Sequence, residues 1–190
     1  MPGHRLRSLL ITFLLFLVAV WPVSAGIFGR GDDRFSLDFD SAFAADLVFG
    51  RSTQFCLGAE LRLDRELSLR LVQTACVAQK EVFAESGLLL VYHPYGTGPF
   101  VSLSLLHFGF EAGHKLLSQS LFSLNEVSLG WVWSFDEHLC LRAEAVFRDP
   151  SGAFREEYSI IRSGYRDYGT FRVRLALGWI LLREEEDEKT

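Results

Sequence analysis

The side chains best equipped for chemistry in this sequence are five histidines, three cysteines and a serine-bearing stretch near residue 104. His107 stands in Ser104-Leu105-Leu106-His107, with Ser102 just upstream and Glu111 and His114 downstream. A hydroxyl, an imidazole to take its proton and a carboxylate to orient the imidazole are the parts of a nucleophilic hydrolase site. In an extended strand Ser102 and Ser104 share one face, and His107 joins them only if the strand bulges between 104 and 107. No His-x-Ser-Asn element accompanies these residues, so the preferred reading is a bulged strand whose histidine faces an interior or a rim, with no catalytic residue. His138 reads as a turn residue. His93, His107, His114 and His138 lack i, i+2 or HxxxH spacing, and Cys56, Cys76 and Cys140 fall in separate segments, so neither a metal site nor a cofactor is expected. An odd number of cysteines, each inside a strand-like stretch, points to small buried apolar groups and not to a disulfide framework.

The elements that carry these residues have a period of two. In 35–49 the odd positions hold Phe35, Leu37, Phe39, Phe43, Leu47 and Phe49, whereas the even ones include Ser36, Asp38, Asp40 and Asp46. The alternation recurs in Phe55, Leu57, Ala59, Leu61 and Leu63, in Leu67, Leu69 and Leu71, in Val127 to Phe135, and in Leu139 to Phe147. It is cleanest in the last row, where Phe171, Val173, Leu175, Leu177, Trp179 and Leu181 oppose Arg172 and Arg174. Two segments are less regular. Residues 88–92 are apolar on both faces, and the row Val101, Leu103, Leu105 switches to Leu106, Phe108, Phe110, which suggests a β-bulge or a strongly coiled strand.

The first 25 residues read differently: Arg5 and Arg7 precede an apolar run from Leu9 to Val23 that ends at Val23-Ser24-Ala25, the layout of a cleaved signal peptide. At about 15 residues the run is short of the roughly 20 that a membrane helix needs. Gly26, in place of a cysteine, gives no lipid attachment point. This segment holds two of the 19 basic side chains and none of the 24 acidic ones, so the remainder is acidic and no nucleic-acid partner is expected. Residues 26–33 form a lead, 34–182 one β domain, and 183–190 an acidic tail.

Tight turns are expected at Asp64-Arg65-Glu66, Gly96-Thr97-Gly98-Pro99 and Asp136-Glu137-His138, and longer connections at 79–85, 112–121 and 149–168, with a short one at Gly50-Arg51-Ser52. Strands of this length with short turns at one end and long loops at the other fit a closed antiparallel up-and-down transmembrane β-barrel of about eight strands. The competing reading is a soluble β-sandwich or barrel, whose strands also alternate. Large aromatics at strand ends favour lipid: Tyr95, Phe135 and Trp179 near the tight turns, and Phe49, Phe55, Phe147 and Phe171 near the other end, form two girdles. The inward row then holds a structural ion-pair lattice of Glu60, Arg62, Arg70, Arg142, Glu144, Arg172 and Arg174, together with Asp38, Asp40 and Glu126. Glu60 is expected opposite Arg70 as its partner across the turn.

Over 34–182 this pattern resembles the small eight-stranded OmpA/OmpX/OmpW-like outer-membrane proteins. The resemblance implies a place in the bacterial outer membrane, contact with lipopolysaccharide or another outer-leaflet lipid, and assembly by the barrel-assembly machinery, which reads an aromatic-rich last strand such as Phe171 to Trp179. The chain departs from the family by running on through Ile180-Leu181-Leu182 into a charged tail. The expected function is non-enzymatic, structural or surface-interacting, with outer loops meeting a host or cell-surface ligand; Tyr158, Tyr165 and Tyr168 in the longest loop suit protein contact. The alternative is a porin-like narrow channel or carrier for small hydrophobic compounds, suggested by 88–92 with Leu106, Phe108 and Phe110.

Overall fold

The computed structural model describes residues 35–40, 53–78, 81–95, 98–112, 121–135, 138–165 and 168–182. The expected signal peptide, the lead, the 50–52 connection, Phe49, most of 112–121 and the acidic tail lie outside them. The strands are β1 (Phe35–Asp40), β2 (Thr53–Arg62), β3 (Leu67–Ala78), β4 (Glu81–Tyr92), β5 (Gly98–Ala112), β6 (Leu121–Ser123), β7 (Glu126–Ser134), β8 (Leu139–Arg148) and β9 (Phe171–Leu182). One helix, α1 (Arg155–Gly164), lies between β8 and β9. Each strand pairs antiparallel with its neighbours, β4 pairs with β5, and β1 pairs with β9, so the sheet closes on itself. β6 and β7 both pair with β5, in line, and act as one stave broken at Leu124 and Asn125. The protein is therefore a closed eight-stave antiparallel β-barrel.

Alternation of side chains assigns the two faces. In β8, Cys140, Arg142, Glu144, Val146 and Arg148 are buried while Leu139, Leu141, Ala143, Ala145 and Phe147 point outward. In β9, Arg174, Ala176 and Gly178 face inward, and Phe171, Val173, Leu175, Leu177, Trp179 and Leu181 are exposed. The turn between β2 and β3 is fixed by the Asp64 carboxylate, whose Oδ1 accepts the N–H groups of Glu66 and Leu67, each at 2.7 Å. That Asx-type closure sets the register that places Glu60 opposite Arg70.

The break in the β5 pattern is a bulge. Leu88 pairs with Leu106 but Leu89 with Ser104, which leaves Leu105 as the extra residue and turns both Leu105 and Leu106 outward. The shift brings Ser102, Ser104 and His107 to the inner face. The ladder to the neighbouring stave is interrupted there and repaired in two places: Leu124 N–H donates to the His107 carbonyl, and Ser104 Oγ accepts the Glu126 N–H, both at 2.9 Å.

Two sequence expectations about the connections are corrected. Residues 79–85 are not a loop: β3 and β4 pair through Ala78 and Glu81, and only 79–80 join them. Their polarity includes an inward-facing carboxylate, Glu85, which resembles loop chemistry only when the barrel interior is left out of account. Residues 149–168 are not an irregular surface loop either, since they contain α1. Tyr158 and Ile161 on α1, followed by Tyr165 and Tyr168, are buried against Phe83, Phe122, Leu124 and Cys76. The connection thus folds back and its apolar side chains fill the barrel end opposite the tight turns. Its three tyrosines are packing groups and not surface contacts.

Candidate functional site

The inward face of the strands builds a chain of charge through the barrel. Near the tight turns, His93 Nε2 lies 3.0 Å from Glu60 Oε1, and Arg142 Nη2 donates to Glu60 Oε2. Arg142 Nε also lies 3.9 Å from Asp38 Oδ2. Arg70 is the hub: its Nη2 donates to Asp38 Oδ1 at 2.7 Å and its Nη1 to Glu144 Oε2 at 3.1 Å. Arg174 continues the chain, with Nη1 at 3.2 Å from Glu144 Oε1 and Nη2 at 3.3 Å from Glu126 Oε2. Arg172 pairs separately with Asp40 at 3.2 Å. Apart from His93, which directly follows β4, these residues come from β1, β2, β3, β7, β8 and β9, and the pairs from Arg142 to Glu60 and from Arg70 to Glu144 tie staves distant in sequence.

Burial makes the pairing obligatory. Arg70 is 1% exposed and Glu144 3%, and an isolated charge in such a place is costly unless partnered. Space for the hub is made by Gly58, where a Cβ would sit 2.6 Å from both Asp38 carboxylate oxygens and 2.8 Å from Arg70 Nη2. Ser128 Oγ donates to Glu144 at 3.2 Å and shares a 2.7 Å hydrogen bond with Ser102 Oγ, so the hydroxyls on this wall are engaged with the lattice.

Between the hub and the wall formed by β4 and β5 lies an apolar layer of Cys56, Val72, Leu89, Val91 and Phe100, with Val132 against it. Arg142 lies over the Phe100 ring at 4.4 Å, joining this layer to the lattice. The two-sided stretch 88–92 is resolved by this packing: Leu89 and Val91 fill the interior, while Leu88, Leu90 and Tyr92 face out. Leu106, Phe108 and Phe110 are exposed on the outer wall, so they do not line an interior patch as the carrier reading requires.

A second ionic group lies under the folded-back connection. His107 Nε2 meets Glu85 Oε2 at 3.0 Å, and Arg148 Nη2 lies 3.7 Å from Glu85 Oε1. Arg148 Nη1 donates to the Gly169 carbonyl at 3.1 Å, and its guanidinium stacks 3.9 Å over the Tyr168 ring. Tyr158 donates its hydroxyl to the Asn125 carbonyl at 2.7 Å. Burial pushes the Tyr158 and Tyr168 phenols well above their ordinary pKa, so both stay neutral. Phe83 packs against Phe122, Tyr165 and Tyr168 at centroid distances of 5.5 to 6.0 Å, and Gly109 gives it room, because a Cβ there would lie 2.2 Å from Phe83 Cζ.

Of the lattice expected from sequence, Glu60, Arg70, Arg142, Glu144, Arg172 and Arg174 are found in interior ion pairs, and Arg62 is half-buried beside the Glu60 cluster. The partner assignment needs correction: Glu60 and Arg70 face each other in register, yet Glu60 bonds Arg142 and His93 while Arg70 bonds Asp38 and Glu144. Arg174 does bond its register neighbour Glu144, whereas the Arg70 guanidinium extends past Glu60 to Asp38 on β1 and Glu144 on β8. Glu85 and Arg148 join the charged interior without being expected there, although the alternation Phe83, Glu85, Gly87, Leu89, Val91 carries the signal for the former. Tyr95 and Phe135, at 75% and 64% exposed, and Trp179 mark the tight-turn end; Phe55, Phe147 and Phe171 lie toward the other, where Phe147 and Phe171 touch at 5.2 Å. The three cysteines are free and buried, and no cluster of metal-binding side chains exists among the described residues.

No family model matches the chain, and neither the curated proteins nor the solved structures contain a match. Among the described residues no helix is long and apolar enough to cross a membrane.

Proposed function

We propose that this protein is a non-enzymatic outer-membrane β-barrel with a structural or surface-interaction role, delivered by a cleaved signal peptide. One observation carries the reading: the barrel is inverted relative to a water-soluble one. Its interior holds the charges, while Leu103, Phe108, Leu129, Trp131, Val173 and Leu175 stand on the outer wall at 42–59% exposure. In water, so large a contiguous apolar surface is a liability; in hydrocarbon it is the stable arrangement. Closure of the sheet supports the same reading, because a barrel leaves no unpaired edge for lipid to meet. The packed apolar layer and the ionic lattice occupy the interior, leaving a pocket of about 80 Å³ beside Glu60 and Arg142, which supports the structural role over conduction or carriage.

The test is fractionation with gel migration. The protein is expected in the outer-membrane fraction and, unboiled in detergent, to run apart from the boiled sample as an intact barrel. Recovery in the soluble fraction with one unshifted band would sink the proposal. Sequencing of the membrane-derived protein is expected to start at Gly26; residues 1–25 still attached would remove the signal-peptide part.

A further inference from the structure

α1 has two faces, and only the inner one is used by the barrel. Tyr158 and Ile161 go into the core, while Arg155, Ser159, Arg162 and Ser163, at i, i+4, i+7 and i+8, share the exposed face. That face lines an open groove of about 930 Å³, completed by Ser151 and Thr170. Among the described residues neither guanidinium has a hydrogen-bond or ion-pair partner, and that of Arg155 lies against Gly152. Among the described residues the one carboxylate lining the groove is Asp149, whose Oδ1 accepts the Phe154 N–H at 3.0 Å. Ser151 Oγ accepts from Asn125 and Ala153, which leaves its proton free to donate. Ser163 Oγ donates to the Ile160 carbonyl at 2.7 Å, so the recognition set for a phosphate group is two unpaired guanidinium forks with the Ser151, Ser159 and Thr170 hydroxyls beside them.

The position of the groove narrows the ligand further. Its ends, Asp149 and Thr170, are where the connection leaves β8 and enters β9, and the adjacent outward residues Phe147 and Phe171 form an exposed aromatic pair on the barrel wall. Phosphate chemistry is thus continuous with an apolar wall. We infer that this groove binds the phosphorylated headgroup of a membrane lipid, whose acyl chains lie along β8 and β9 past Phe147 and Phe171. The inference rests on the outer-membrane reading and gives its surface-interaction role a site and a ligand class.

The test uses full-length protein in neutral detergent, immobilised and titrated with labelled phosphatidic acid in mixed micelles, with phosphatidylcholine as control. Phosphatidic acid is expected to bind saturably and in preference to phosphatidylcholine, more weakly as salt rises. Arg155→Ala with Arg162→Ala is expected to weaken it by about tenfold or more, whereas the lysine pair, which keeps charge but loses the fork, retains part of the affinity. Phe147→Ala with Phe171→Ala is expected to weaken the lipid and to leave binding of soluble glycerol phosphate unchanged. Equal retention of the two lipids, or an arginine-free variant that binds as the parent does, would overturn the site. Competition by glycerol phosphate at the same affinity as the lipid would overturn the lipid as its ligand. The gel shift of each sample reports the barrel itself, so a shifted, folded protein without lipid preference fails this inference alone.

Discussion

Arg70→Ala is expected to destabilise the folded barrel by about 3–5 kcal/mol, the cost of leaving buried charges uncompensated. The side chain is almost fully enclosed and bridges Asp38 at 2.7 Å and Glu144 at 3.1 Å, so its removal leaves Asp38 with only the Arg142 guanidinium at 3.9 Å and takes from Glu144 one of its two guanidinium partners. Arg70→Lys should recover only part of the loss, because one ammonium cannot span both acids as the guanidinium fork does. Denaturant titration of barrel protein in detergent, followed by tryptophan fluorescence, gives the measurement. A double-mutant cycle adds the partner assignment: Asp38 with Arg70 should show coupling of roughly 0.5–3 kcal/mol, the range typical of contacting groups, and Glu60 with Arg70 distinctly less. If Arg70→Ala unfolds with the parent, the interior is wet enough to screen its charges, and a conducting role regains weight.

Leu175→Arg is the second substitution expected to have a large effect. Leu175 is 42% exposed on the outer wall, whereas its neighbour Arg174 is 2% exposed and bonded to Glu126 and Glu144. An arginine moved by one residue therefore passes from a partnered interior to the apolar exterior. If that exterior faces lipid near the bilayer midplane, the cost is about 2–4 kcal/mol. If it faces water, the cost is close to zero, as at most surface positions. Unfolding of the two proteins in lipid vesicles should separate these values. Equal stability there would refute the lipid-facing assignment while leaving the barrel topology untouched.

How much of the fold is legible in the sequence follows from the nature of strand periodicity. The alternation from Phe35 to Leu182 by itself determined the β class, the two faces, the tight turn at Asp64 and the bulge at Leu105, because each is local: side chains two residues apart share a face, and a slipped phase needs an extra residue. The pairing register of Glu60 with Arg70 is legible for the same reason. The ion-pair partners are not. Glu60 reaches Arg142, 82 positions away, and Arg70 reaches Glu144, 74 positions away, contacts that exist only once the sheet has closed. Closure also decided the fate of 149–168, whose tyrosines read as polar-aromatic surface until the barrel supplies a mouth for Tyr158, Tyr165 and Tyr168 to fill. Periodicity along a strand records which way a side chain points; the distance across a barrel, which selects its partner, is written in no local stretch of the chain.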